Sequence, residues 1–385
     1  MGKKILVLGE PNTVLLVRWL NKFDDNGWEV HNIFSSRNIE GINTNINLKK
    51  LDYVKRSNIA LLFRVLFYGI KIRQAISKIK PDIIWVHTQD WILYTLFLDR
   101  KLPFVYTLWG AGLLKEYKNI KWYQPLFFMR KLIEKKAISQ VNTITSESGD
   151  LAESFAKIFP DFSHKIRLVK WGINSHKFRK KNPSSLLNIK EDYGIQDNNK
   201  VIISARTTHP FYNTKIIFKS ALEIVKKYKN VKYIFLRGTA PDKSYEKEII
   251  DSVPKKFSNN FIFVKHRLKE NEMVNLYNIS SIYIGIPPHD DVSACLIESM
   301  SIGCIPVVSD IPTNRNLISD AQNGFLVKVN TSSEGIVKNL YTATSKALNT
   351  NFNKVGKLNK NFIKKHYNFN RDNHEMVELM EKLAL

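Results

Sequence analysis

KKILVLGEPNTVLLVRWLNKFDDNGWEVHNIF, Lys3 to Phe34, is the stretch on which the reading of the whole chain turns. KKILVLG is short and almost wholly apolar, as a strand buried on both faces must be, and it stops at Gly9. VLLVRWLNKF, Val14–Phe23, spaces its apolar residues as a helix does. After Asp25-Asn26-Gly27, a turn signal, WEVHNIF brings a second β-rich run. A strand, a helix and a strand in about thirty residues make one unit of a parallel α/β sheet, because parallel neighbours need a crossover that long.

The pattern repeats outward. KIRQAISKIK leads into PDIIWVHT, and LPFVYTLWG and VNTITSES follow as further short β-rich runs. A second set starts at KVIISAR (Lys200–Arg206), with a helix over Ile217–Tyr228, and continues through VKYIFLRG, NFIFVKH, SIYIGIP and CIPVVSD. Two doubly wound α/β halves are therefore expected, meeting in the polar, turn-rich stretch Gly172–Ser185. The expected domains are 1–175, 176–365, and a C-terminal segment 366–385. That last segment, broken around Asn368–Asn370, carries Met376, Leu379, Met380 and Leu383 on one face and is expected to pack on the first domain.

The bulk numbers suit this reading. At 385 residues, 44% hydrophobic and 24% charged, the chain has the length and composition of two globular domains. MGKKILVLGE lacks the apolar core and small-residue cleavage site of a secretory signal, and no run is long enough to span a bilayer, so a cytoplasmic protein is expected. Cys295 and Cys304 suit that compartment as small packing residues. A formal net charge of +24 favours polyanionic partners such as nucleic acid, anionic lipid or phosphorylated small molecules. Nucleic acid is disfavoured, since the basic residues are spread along the chain without a recognition motif.

In doubly wound sheets ligands bind beyond the carboxyl ends of strands. Three loops there are chemically loaded. In SARTTHPFYNTK, Arg206 stands just past a strand end, where a guanidinium can grip a phosphate. In IPPHDDVSACLIES, Ser293 and Ala294 open a helix whose free amides suit an anion, with Asp290 upstream and Glu298 inside the helix, suited to a ribose diol. Spacing alone leaves a simpler alternative open, in which Asp290 and Asp291 cap the helix and Glu298 is solvated. The third loop, SDIPTNRNLISDAQNGFLV, offers backbone to line a nucleotide pocket.

The run DDVSACLIESMSIGCIPVVSDIPTNRNLISDAQNGFLV resembles the donor-site signature of retaining GT-B glycosyltransferases of glycosyltransferase family 4. Weaker likenesses lie in the first strand–helix–strand, in PDIIWVHTQD and VYTLWGAGLL, in KIRLVKWGINSHKF and in KHRLKENEMVNLYNISSIYIGIPP. The resemblance implies a GT-B fold and transfer of a sugar from a nucleoside diphosphate sugar with retained anomeric configuration. It implies that Asp290 lies against the donor sugar, Glu298 holds the ribose, Arg206 holds the diphosphate, and the amides around Val292, Ser293 and Ala294 cover the distal phosphate. Gly9 marks a reduced glycine-rich loop, and Lys215 stands later than the family's usual basic partner of the arginine. Trp109 occupies a position that is His in many members. No metal or other cofactor is expected, since no Asp-x-Asp occurs. A sugar-nucleotide epimerase of the same architecture is the nearest alternative.

The acceptor is expected on the first domain. Ile59–Lys80 and Ile120–Ala137 mix aromatic, apolar and basic residues as interfacial helices do, which points to peripheral contact with an anionic membrane and a polyprenyl-linked saccharide acceptor.

Overall fold

The apolar runs pair as parallel strands because both faces of each are covered by helices. The structure is a computed structural model and describes every residue except 1, 12–13, 36–44, 52–60, 97, 99–100, 110–124 and 239–240. The chain divides into two units, Met1–Gly172 with Asn370–Leu385, and Ile173–Phe369.

The first unit carries β1 (Lys4–Leu8), β2 (Glu29–Phe34), β3 (Asn47–Lys50), β4 (Ile83–His87), β5 (Phe104–Thr107), β6 (Thr143–Ser146) and β7 (Ile166–Leu168). They form one parallel sheet in the order β3-β2-β1-β4-β5-β6-β7. Strand alternation divides β1 between two cores. Ile5 and Val7 enter a cluster with Trp19, Leu20 and Phe23 of the helix Val14–Asp25, and Leu6 and Leu8 enter another with Tyr68 and Ile72 of the helix Leu61–Ile79. The C-terminal helix Phe369–Leu383 adds Met376, Val377 and Met380 to the first of these cores. The break before it falls at Tyr367 and Asn368, where Asn368 bridges to Ile173.

The second unit carries β8 (Lys200–Ser204), β9 (Val231–Leu236), β10 (Phe261–Val264), β11 (Ile282–Gly285), β12 (Ile305–Ser309) and β13 (Phe325–Val327). Their order is β10-β9-β8-β11-β12-β13, again parallel throughout. Val201 and Ile203 face the helices Glu270–Ile279 and Ala294–Ile302, while Ile202 faces Thr214–Lys227 and Ser333–Leu348.

Three edge strands escaped the sequence reading. All of β3 is exposed and β7 is mostly exposed, so neither shows the apolar run or alternation by which strands are found, and β13, though apolar, is only three residues long. Gly303, at φ 104°, ends the helix Ala294–Ile302 in a backbone conformation that side chains rarely adopt, turning the chain into β12.

All seven tryptophans lie in the first unit, so their fluorescence follows its unfolding alone. Met380 is fully buried against that unit's sheet. Met380→Ala is expected to cost about 2–5 kcal/mol, read as a lower denaturant midpoint by tryptophan fluorescence. An unchanged midpoint would show that the C-terminal helix is not integral to the first unit.

Candidate active site

The order β10-β9-β8-β11-β12-β13 places the change of winding direction between β8 and β11. Connections leave these two neighbours toward opposite faces and open a crevice at their carboxyl ends. Ala205 and Arg206 follow β8, and the loop from Ile286 to Ser293 follows β11. Two of the loops singled out from sequence thus meet because their parent strands pair, Ile202 with Ile282 and Ile203 with Tyr283.

Arg206 is the centre of this meeting. Its Nη2 lies 3.0 Å from Asp290 Oδ2, and the two side chains are 17% and 13% exposed. Its Nη1 donates to Ser293 Oγ at 2.7 Å, and its guanidinium carbon sits 4.5 Å from the centre of the Tyr212 ring. A planar cation is thereby fixed on three sides. The loops are also stitched around it. Asn213, in the left-handed conformation that Asn tolerates, donates through Nδ2 to the Ile286 carbonyl at 2.8 Å, and Phe211 meets His289 edge to face at 5.0 Å. Thr313 Oγ1 donates to the Asp290 carbonyl at 3.1 Å, bringing the third loop in as well.

Charge balance follows from this packing. Burial alone would disfavour the cation, but Asp290 beside it more than offsets that, and Arg206 stays charged. Burial pushes the Asp290 carboxyl above the ordinary carboxylate range, with Arg206, the Asp291 amide and His289 pulling the other way.

The capping alternative does not describe this site. Ser293 is the residue that starts the helix, yet its hydroxyl makes no cap and goes to Arg206. Asp290 accepts from the Asp291 amide at 3.1 Å instead of capping. Glu298 is buried, not solvated, and the Tyr277 hydroxyl donates to its Oε2 at 3.4 Å. Val292 packs against the core cluster, and Ala294 opens the first turn, where helix amides lack intrahelical partners. Cys295 donates its thiol to the Ala205 carbonyl at 3.7 Å, and Cys304 is sealed in the core with its thiol pushed up to about 12 by burial.

Lys215 and Gly9 stand apart from this cluster. The Lys215 ammonium pairs with Glu248, and its amide donates to the Tyr245 hydroxyl at 2.8 Å. Gly9 belongs to the first unit, where an added Cβ would come 2.7 Å from His87 Cβ, so its absence of a side chain lets β1 and β4 end side by side. Trp109 donates through Nε1 to Nδ1 of His87 at 2.9 Å, and burial pushes that imidazole down to about 3. The glycines after Trp109, 110 and 112, lie outside the described residues. Sequence reasoning missed Tyr212, Tyr277 and Tyr283. Tyrosines at such spacings carry no motif, and only the tertiary contacts of Tyr212 with Arg206 and of Tyr277 with Glu298 single out the first two.

Two parallel sheets, each doubly wound, with an arginine and an acidic loop at the switch point of the second, define a glycosyltransferase of the GT-B class. Residues 4–148 match the family model described as glycosyl transferase 4-like, and residues 187–368 match glycosyl transferases group 1, so the chain belongs to this glycosyltransferase family. Solved structures share the fold. Sucrose-phosphate synthase of Thermosynechococcus elongatus is 12% identical with a TM-score of 0.79, covering 99% of both chains. Anabaena HepE in complex with UDP-glucose is 14% identical with a TM-score of 0.73, covering 98% of this chain and 99% of its own. A glycosyltransferase from Rickettsia africae is 15% identical with a TM-score of 0.72, covering 99% of this chain and 98% of its own. Comparison with curated proteins found no match.

Tyr283, on β11, is fully buried, with its hydroxyl within electrostatic reach of Arg206, Ser293 and Asp290. An added Cβ at Gly285, two residues along the same strand face, would lie 2.6 Å from the Tyr283 hydroxyl. Gly285→Ala is expected to displace that ring and destabilise the second unit by about 1–3 kcal/mol. The check is a lower circular-dichroism melting step while tryptophan fluorescence, which follows the first unit, keeps its midpoint. A variant that melts like the parent would show that the placement of the Tyr283 ring is dispensable.

Proposed function

We propose that this glycosyltransferase takes its sugar from a nucleoside diphosphate sugar, works with retention and without a metal ion, and delivers to a saccharide acceptor. The observation that carries the reading is Arg206, a guanidinium fixed at the ends of β8 and β11 and bonded to Ser293 at the start of the helix Ala294–Ile302. A diphosphate leaving group gathers negative charge as its bond to the sugar breaks, and fixed positive groups stabilise it without reorganising. Glu298, buried one helical turn below, suits the ribose hydroxyls, and Asp290 the sugar. The bond from the anomeric carbon to the β-phosphate oxygen breaks, the acceptor oxygen takes its place on the same face, and the acceptor's proton passes to the departing phosphate. The same switch-point chemistry serves a doubly wound fold wherever an anion is bound. HepE and other neighbours of this fold were solved with UDP, UDP-glucose or ADP, which supports a nucleotide in the second unit. Because the family is one of transferases, an acceptor is required, and the strongly basic chain favours one that is lipid-linked, as in bacterial surface-polysaccharide assembly.

A panel of nucleoside diphosphates and their sugars tests the donor. A ligand at 100 times its dissociation constant adds about 2.7 kcal/mol, seen as a rise in the melting step of the second unit, and Arg206→Ala is expected to abolish it. No rise with any nucleotide in the parent protein would sink the donor reading. Product anomers read by NMR decide retention, and activity undiminished by chelation is expected.

Asp290 also competes for Arg206. A bound diphosphate must share or replace that carboxylate, so Asp290→Asn is expected to bind free nucleoside diphosphate roughly five- to tenfold tighter at pH 8 while transferring sugar more slowly. In the parent protein, lowering the pH protonates the Asp290 carboxyl, whose affinity for protons is raised, and frees Arg206. Affinity should therefore rise as pH falls toward that titration, and the advantage of the Asn variant should shrink. Calorimetric titration across pH checks it, and parallel curves for the two proteins would refute the exchange.

A further inference from the structure

The helix Leu61–Ile79 turns Val65, Tyr68, Ile72 and Ala75 into the first unit's core and leaves an apolar stripe on the other side. Phe63, Leu66 and Ile70 are 60%, 44% and 56% exposed, at a spacing of three and four residues that puts them on one face. Phe67 extends the stripe: its ring stacks on Phe63 at 5.9 Å and lies under the Lys71 ammonium at 5.8 Å. Other exposed large apolar residues are scattered singly, as on any soluble surface, so three within eight positions of one helix call for a partner. The helix holds Arg64, Lys71, Arg73 and Lys78 and no carboxylate. Arg73 continues the exposed face, and Lys71 and Lys78 flank it. The helix Pro125–Ser139 reaches the same core and carries one exposed apolar residue of its own, Leu132, with exposed Lys136 four positions on and Lys135 paired with Asp161 at 2.6 Å. Of the two segments expected to be interfacial, residues 59–60 and 120–124 and the side chains of 61–62 and 125–129 lie outside the described residues.

We infer that this face docks on an anionic bilayer, with Phe63, Leu66 and Ile70 entering the headgroup–acyl boundary and the cations on the phosphates. A helix with aromatic and aliphatic residues on one arc and only cations around it has the composition of a monotopic anchor. Charge decides against a second copy as occupant. A two-fold pairing of this stripe would set Lys71, Arg73 and Lys78 against their own counterparts, on a chain already at +24, whereas an anionic surface rewards each basic residue by roughly 1 kcal/mol. No described helix is long and apolar enough to cross a membrane, so the contact is with one surface. The inference rests on the lipid-linked acceptor proposed above and gives that acceptor a place to be met.

Flotation of the whole chain with phosphatidylcholine vesicles, with or without phosphatidylglycerol, tests it. The parent is expected to float with the anionic vesicles and not with the neutral ones. Phe63→Ser/Leu66→Ser/Ile70→Ser is expected to lower the partition coefficient by at least about tenfold, and Arg73→Glu/Lys78→Glu to erase the preference for anionic lipid. These residues are exposed, so the tryptophan-fluorescence unfolding midpoint should not move, which separates lost docking from lost folding. A serine variant that floats like the parent, or a parent that ignores lipid charge, overturns the inference. A dimer in sedimentation that dissolves in the serine variant would overturn it too, by assigning the stripe to a second copy. Nucleotide-induced stabilisation of the second unit is read separately. If it persists while flotation fails, only the docking face falls, and if it fails while flotation holds, only the donor reading does.

Discussion

The guanidinium of Arg206 is the constraint around which the second unit is organised. It is mostly buried at the carboxyl end of a central strand, and a buried cation is tolerated only when its partners are present and fixed. Asp290 supplies the charge, Ser293 an acceptor and Tyr212 a ring face, and each comes from a different part of the loops around the switch point. Those loops are in turn held by Asn213 on Ile286 and Thr313 on Asp290. Removing the cation would leave the Asp290 carboxylate buried without its counter-charge.

This arrangement links stability to chemistry. The groups that make Arg206 tolerable in the folded protein occupy the positions from which it would be offered to a diphosphate. Orientation is therefore settled before any ligand arrives, which is what electrostatic stabilisation of a leaving group requires. The same packing buries Glu298 one turn into the helix, with Tyr277 donating to it, in place of a solvated helix carboxylate. In the first unit the corresponding strand ends are quieter. Gly9 admits His87, and Trp109 fixes the imidazole through Nδ1, leaving it uncharged within an aromatic cluster.

Much of the fold was legible in the chain because the central strands are buried on both faces. KILVL, IIWVH, KVIIS and IPVVS had to be apolar through their middles, and such runs are visible without a structure. NLKK and IRL were not, because an edge strand can be exposed and polar and still complete its ladder. Arg206, Asp290, Ser293 and Glu298 were legible as strand-end and helix-start residues. Tyr277 and Tyr283 were not, since an aromatic residue in a helix or strand has the same appearance whether it fills core or supports a site. The apolar stripe of Leu61–Ile79 was visible as composition, but which residues pointed outward depended on the sheet it covers.

By itself the sequence determined the two doubly wound halves, the loops in which polar chemistry could sit, and the small-residue helix start at Ser293 and Ala294. These follow from local rules, namely periodicity, turn residues and the exclusion of charge from buried strands. Tertiary structure decided that the loops after β8 and β11 are neighbours, that Asp290 pairs with Arg206 and does not cap a helix, that Glu298 is buried, and that Lys215 turns to Glu248. The reason is physical. Spacing along a chain sets which residues can share an element, but only the order of strands in the sheet sets which strand ends stand side by side. Arg206 and Asp290, 84 residues apart in sequence, meet for that reason alone.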